Sequence, residues 1–103
     1  MNLVVEASLS FFLNKKTNEP FNRIYNNGLI VDFTIRSDMF NCGRIEFTEK
    51  QTVVSGDSDV KATITFLYEE LVLPFLKEGH TFTFGEPSNP YGKGIVTKII
   101  INT

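Results

Sequence analysis

Side chains that could act as a nucleophile, a base or a metal ligand are few in this chain of 103 residues. The one histidine, His80, follows Gly79 at the beginning of a stretch of alternating polar and apolar residues. A lone histidine cannot form a two-histidine metal site, and no neighbouring serine or cysteine indicates a catalytic triad. We therefore expect His80 to be an exposed residue at the end of a strand rather than a catalytic base or a pH sensor.

The one cysteine, Cys42, lies between Asn41 and Gly43 in a stretch that predicts a loop. A reactive thiol needs a neighbouring cation to lower its pKa, and Arg44 is the only local candidate, so we expect an inert cysteine. A single cysteine excludes an internal disulfide and is typical of a reducing compartment. Because the chain shows neither a signal-peptide pattern nor an apolar run of membrane-spanning length, we expect a cytoplasmic location and no membrane partner.

The remaining candidates are carboxylates and closely spaced glycines. Asp57 and Asp59 lack the third ligand, the glycine and the distant glutamate of a calcium loop, so they predict a turn capped by carboxylates. Glu69 and Glu70 are adjacent in sequence rather than paired across a cleft. Gly92-Lys93-Gly94 precedes a strand, whereas a dinucleotide fingerprint follows one, so it predicts a tight turn or bulge. The sequence therefore predicts no catalytic residue, no metal and no cofactor.

The elements that hold these residues are predicted from apolar residues that recur at every second position. This period of two is typical of strands with one buried face, and it occurs six times. The six predicted strands cover residues 3–13, 29–36, 44–48, 60–68, 81–84 and 94–101. Polar, glycine-rich or proline-containing loops separate them, at residues 14–20, 26–28, 56–59, 69–77 and 86–92. Short connections without a crossover helix indicate an all-β, antiparallel barrel or sandwich, and residues 1–103 fit one domain.

The charge of the chain limits the kind of partner. Its formal net charge is −2, which gives no overall attraction to polyphosphate, so nucleic acid is not the default partner. Lys15, Lys16 and Arg23 lie near one another in sequence, and a few such cations are usually a solvated face.

Several short motifs of the C-terminal half follow one another in a recognisable order. They are Val54-Ser55-Gly56-Asp57, Leu73-Pro74, Lys77-Glu78-Gly79, Phe82-Thr83-Phe84 and the closing run at residues 92–100, which has the form G-x-G-x-V-T-K-I. This order resembles the third, C-terminal domain of elongation factor Tu. Glu19-Pro20-Phe21 and residues 33–38 extend the resemblance into the N-terminal half, so it covers essentially the whole chain.

The resemblance implies a six-stranded antiparallel Greek-key barrel that binds rather than catalyses. In the family this domain packs on a GTP-binding domain, touches aminoacyl-tRNA and meets the exchange factor. The chain contains no G-x-x-x-x-G-K-[ST] motif, so GTP binding is not expected.

The leading hypothesis is a freestanding binding module whose loops contact a protein partner. The residues expected to make that contact are Arg23, Tyr25, Tyr91 and Lys93, because loops on a rigid barrel are where such contacts usually lie. Two alternatives stay open: a module that binds tRNA or other RNA in translation elongation, and an immunity or decoy protein that mimics the surface of the elongation factor.

Overall fold

The computed structural model describes residues 2–13, 24–36, 39–67, 76–86 and 89–102. Within these residues the chain forms eight β-strands and no helix. The strands are β1 (Asn2–Phe11), β2 (Ile24–Asn26), β3 (Leu29–Arg36), β4 (Met39–Phe47), β5 (Thr52–Val54), β6 (Val60–Phe66), β7 (Thr81–Glu86) and β8 (Asn89–Asn102). The predicted loop at residues 14–20, most of the one at residues 69–77, and Arg23 lie outside the described residues.

Six of the strands close into one barrel in the order β1-β6-β4-β3-β7-β8. Every neighbouring pair in it is antiparallel. The consecutive strands β3, β4 and β6 lie side by side, and β1 lies next to β6, which is the Greek-key arrangement. The predicted six-stranded antiparallel Greek-key barrel is therefore confirmed. No described residue belongs to a helix long and apolar enough to cross a membrane.

The interior of the barrel is filled by the apolar residues that alternate along the strands. The centre is aromatic: the ring of Phe33 lies 5.3 Å from that of Phe66 and 5.7 Å from that of Phe82, centroid to centroid. Phe84 continues this cluster towards the end of the barrel where β1 ends. Because neighbouring rings meet edge-on or tilted, they gain interaction beyond the burial of their area.

Two glycine-containing stretches that the sequence predicts as loops or turns are strand instead. Asn41 and Gly43 belong to β4, where a Cβ on Gly43 would lie 2.8 Å from the ring of Phe33. Glycine is used there to make room for an aromatic side chain, not to turn the chain. Gly92-Lys93-Gly94 likewise lies inside β8, paired with β1 and β7. The register shifts lie between Glu6 and Ala7, between Thr34 and Arg36, and between Phe84 and Gly85, the last of them opposite the residues that lead into Gly92.

Outside the barrel, β2 and β5 form a two-stranded antiparallel ribbon that the sequence did not predict. The predicted turn at residues 26–28 is confirmed at Asn27 and Gly28, while Asn26 ends β2. This turn ties the ribbon to β4: the Phe47 amide donates to Asn27 Oδ1 at 2.8 Å, and the Gly28 amide donates to the Ile45 carbonyl at 2.9 Å. The ribbon therefore sits on the end of the barrel where β4 ends.

Candidate interaction surface

The inner face of the ribbon is built from one buried residue of each strand. Tyr25 is 5% exposed, Val53 is 1% exposed, and the two are register partners. The ring of Tyr25 lies 4.8 Å from that of Phe11, the last residue of β1. Phe11 in turn contacts Phe47 and Phe84 edge-on, at 6.1 and 5.1 Å. An aromatic cluster thus joins the ribbon to the end of the barrel.

The backbone of the chain after β5 fixes the ribbon a second time. The Phe11 amide donates to the Asp57 carbonyl at 2.8 Å, and the Gly56 amide donates to the Phe11 carbonyl at 3.0 Å. Phe11 is therefore held by its side chain under β2 and by its backbone beside the turn after β5. The ribbon is thus tied to the barrel by both ring contacts and backbone hydrogen bonds.

The outer face of the ribbon carries apolar side chains. Since side chains alternate along a strand, burying Tyr25 and Val53 turns their neighbours outward, and Ile24 and Val54 form an exposed cross-strand pair. Ile24 is 63% exposed. Leu13, 60% exposed, lies beside Gly56 in the turn after β5. A Cβ built on Gly56 would be 3.1 Å from the Leu13 Cδ2 atom. Phe12, 38% exposed, adjoins it in the chain.

We call Leu13, Ile24 and Val54 together the ribbon surface. They are three of the eight large exposed apolar side chains among the described residues. The others are Phe12, Ile30, Phe40, Leu67 and Ile95, which belong to or directly follow barrel strands. Single exposed apolar residues are normal on a protein surface, whereas neighbouring ones form a candidate contact surface.

Of the four residues predicted to contact a partner, two come together at the ribbon. Tyr25 and Tyr91 come together at the ribbon, with their ring centroids 5.3 Å apart, and Tyr91 is half-buried. Because Tyr25 is buried, it supports the ribbon surface from below. Lys93 is exposed on β8, between Ser10 and Thr83 of the neighbouring strands. Arg23 is not among the described residues.

The sequence prediction missed the ribbon surface itself. One signal for it existed: Phe11, Phe12 and Leu13 are consecutive, although the alternation of β1 requires a polar residue at position 12. An apolar residue at an outward position indicates either a second contact or an exposed surface. No such signal marks Ile24 or Val54, because a three-residue strand is too short to show a period.

His80 is not the exposed residue that the sequence predicts. It is half-buried, and its Nε2 atom lies 2.9 Å from the carbonyl oxygen of Ile35. A carbonyl can only accept, so Nε2 carries a proton and donates. The side chain thus ties the beginning of β7 to β3, which is a structural use of the imidazole.

Cys42 lies on β4 opposite Asp32 of β3 and is half-buried. Burial raises the pKa of the thiol, and the negative charge of Asp32 raises it further. A raised pKa leaves less thiolate at neutral pH, which favours the inert role predicted for this cysteine.

We predict that the folded protein is alkylated by iodoacetamide at pH 7.5 several-fold more slowly than the urea-unfolded chain. The physical reason is the raised pKa of Cys42 together with its partial burial. Asp32→Asn removes the nearby negative charge and should increase the rate in the folded state, by about twofold. A folded-state rate equal to or above that of the unfolded chain would contradict this account, and mass spectrometry over time measures both.

Of the other candidate chemical groups, Asp57 has a structural use, and Glu69 and Glu70 lie outside the described residues. The turn after β5 is capped as predicted: Asp57 Oδ2 accepts from the Val54 amide at 3.1 Å and lies 3.8 Å from Lys50 Nζ. In the part of the chain that the structure describes, no group of three potential metal ligands comes together. Comparison of the chain with protein-family models and with curated proteins yields no match.

Proposed function

We propose that this protein is a non-catalytic binding module that engages a protein partner through the ribbon surface. The observation that carries the proposal is that neighbouring exposed apolar side chains stand on a ribbon tied to the barrel. Ile24 and Leu13 each expose about three fifths of their area, and the residues beneath them are tied to the barrel by ring contacts and backbone hydrogen bonds. Ordering such a surface on binding costs little conformational entropy, because it is ordered already.

The chemistry of the ribbon surface favours protein over nucleic acid. The two outward cross-strand pairs of the ribbon, Ile24 with Val54 and Asn26 with Thr52, carry no charge. Phosphate backbones are bound mainly by lysine and arginine, and the chain as a whole is acidic. An apolar centre with uncharged polar neighbours is the composition typical of a protein interface.

The barrel itself supports kinship with the third domain of elongation factor Tu, which the sequence motifs imply. The closing motif at residues 92–100 falls inside β8, and the glycine-aspartate turn falls directly before β6. On this kinship, a partner among the proteins of translation is the first to test.

The proposal is tested by affinity capture with three matched forms of the protein. Tagged wild type, Ile24→Glu and Ile30→Glu are incubated with lysate of the source organism, and the retained proteins are quantified by mass spectrometry. Ile30 is a suitable control because it is 60% exposed, close to the 63% of Ile24, but lies on β3, opposite Arg44. We expect Ile24→Glu to lose the retained partner by about tenfold or more and Ile30→Glu to keep it.

Equal loss in both glutamate variants, or equal retention in both, would contradict binding through the ribbon surface. Circular dichroism on the three purified proteins shows that the fold is intact. Both substitutions replace exposed side chains, so the expected change in stability is within about 0.5 kcal/mol.

A further inference from the structure

The hydrogen-bonding direction of each residue in the ribbon follows from its register. The Asn27 amide donates to the Gln51 carbonyl at 3.0 Å, which makes these two residues a hydrogen-bonded pair. In an antiparallel ladder such pairs alternate with pairs that make no bond to each other. Tyr25 and Val53 are therefore the next bonded pair, and the backbone groups of Ile24 and Asn26 point away from β5.

The two edges of the ribbon differ in how they are closed. On the β5 edge, both backbone groups of Val54 already have hydrogen-bond partners. Its amide donates to Asp57 Oδ2 at 3.1 Å, and its carbonyl accepts from the Asp57 amide at 3.1 Å. On the β2 edge, Ile24 and Asn26 have no backbone hydrogen bond to another described residue. Proteins commonly block exposed edges, and among the described residues one edge of the ribbon is partly blocked while the other, which we call the open edge, has no backbone partner.

The open edge lies beside the apolar contact surface. Ile24 contributes both its outward backbone groups and its exposed side chain. Tyr91 of β8 contacts the ring of Tyr25 on the buried inner face of the ribbon, so this contact supports β2 from below. The backbone donors and acceptors of the β2 edge and the exposed aliphatic side chain of Ile24 thus lie within one strand length.

We propose that the β2 edge binds an extended segment of the partner protein as an additional strand. This inference rests on the proposed function and specifies how the partner is recognised. Only another extended polypeptide presents donors and acceptors at the two-residue spacing of Ile24 and Asn26. The bound segment has at least three residues and no proline where its amides face β2, and it places an apolar side chain next to Ile24.

The free protein provides the first test, by amide hydrogen exchange measured with NMR. The amides of Tyr25 and Asn27 bond across the ribbon, to Val53 and Gln51, and should be protected, whereas those of Ile24 and Asn26 should exchange about tenfold faster or more. Protection of Asn26 equal to that of Tyr25 in the monomeric free protein would overturn the open edge.

The second test selects ligands from a phage-displayed library of random linear heptapeptides on the wild-type protein. Selected peptides are synthesised and titrated against wild type, Asn26→Pro and Thr52→Pro. Both substitutions remove an amide that faces away from the ribbon, on opposite edges, so neither breaks a ribbon hydrogen bond. We expect Asn26→Pro to weaken binding by about tenfold, Thr52→Pro to leave it unchanged, and bound peptide to slow exchange at Ile24 and Asn26.

A third test modifies the peptide instead of the protein, so its result does not depend on whether the proline variants fold. N-methylation of the peptide amides that face β2 should abolish binding, whereas methylation at the intervening positions should be tolerated. The inference is overturned if no peptide is enriched, or if binding survives both Asn26→Pro and methylation at every position. Peptides that bind Asn26→Pro normally but fail on Ile24→Glu would overturn strand addition and leave the proposed function standing.

Discussion

Gly92→Ala is expected to destabilise the protein by about 3 kcal/mol or more. A Cβ at this position would collide with the carbonyl oxygen of Ser10 on β1, and it would also lie 2.8 Å from the Phe84 ring and 3.1 Å from the Phe11 Cα. Ser10 and Phe11 are backbone neighbours on the strand that closes the barrel against β8. The clash cannot be relieved by one side chain alone, because two strands have to separate.

Urea denaturation followed by circular dichroism measures this loss, with Gly79→Ala as the control. Gly79 has no heavy atom within 4 Å of a built Cβ, but its φ is +86°. Alanine there should cost about 1 kcal/mol, from backbone strain alone. The account of barrel closure would be wrong if the two alanine variants were equally stable.

Phe11→Ala is expected to destabilise the protein by about 3–5 kcal/mol and to loosen the ribbon. The side chain is 3% exposed and contacts the rings of Tyr25, Phe47 and Phe84. Removing it leaves a cavity between the barrel and the ribbon, so the free energy of unfolding falls. The amides of the ribbon should also lose protection more than those of β6, since Phe11 holds Tyr25 in place.

Phe12→Ala serves as the matched control, because Phe12 is the next residue and is 38% exposed. Its effect on stability should be no more than about 1 kcal/mol. Denaturation and amide exchange give both quantities for the two variants. Phe11 would not be the anchor of the ribbon if Phe12→Ala lowered the free energy of unfolding as much as Phe11→Ala. The same conclusion would follow if the ribbon amides of Phe11→Ala lost no more protection than those of β6.

The barrel could be predicted from sequence where the alternation is long. In β1 the predicted period of two runs from Leu3 to Leu13; its apolar residues are buried as far as Phe11, where the strand ends, whereas Leu13 is exposed. β4 was predicted too short because Asn41 and Gly43 have the composition of a loop. The close approach of the Phe33 ring and of the Thr65 carbonyl oxygen to Gly43 explains why a glycine belongs there. The closure of the barrel depends on such contacts between distant residues.

The candidate site was predictable only in part. Tyr25 and Tyr91 are predicted contact residues because of their predicted position in loops, and their contact across 66 positions of the chain is a product of the fold. Ile24 and Val54 gave no signal, since each is an ordinary apolar residue until the partner of its strand is known. The open edge of β2 was likewise invisible, because hydrogen-bonding direction depends on register rather than residue type.

The most direct test of the central claim is the affinity capture with wild type, Ile24→Glu and Ile30→Glu, run with and without ribonuclease and with both protein and RNA identified. We predict that wild type and Ile30→Glu retain the same protein in both arms, and that Ile24→Glu does not. If RNA is the retained species and everything else leaves with ribonuclease, the module binds nucleic acid and the proposed function is wrong.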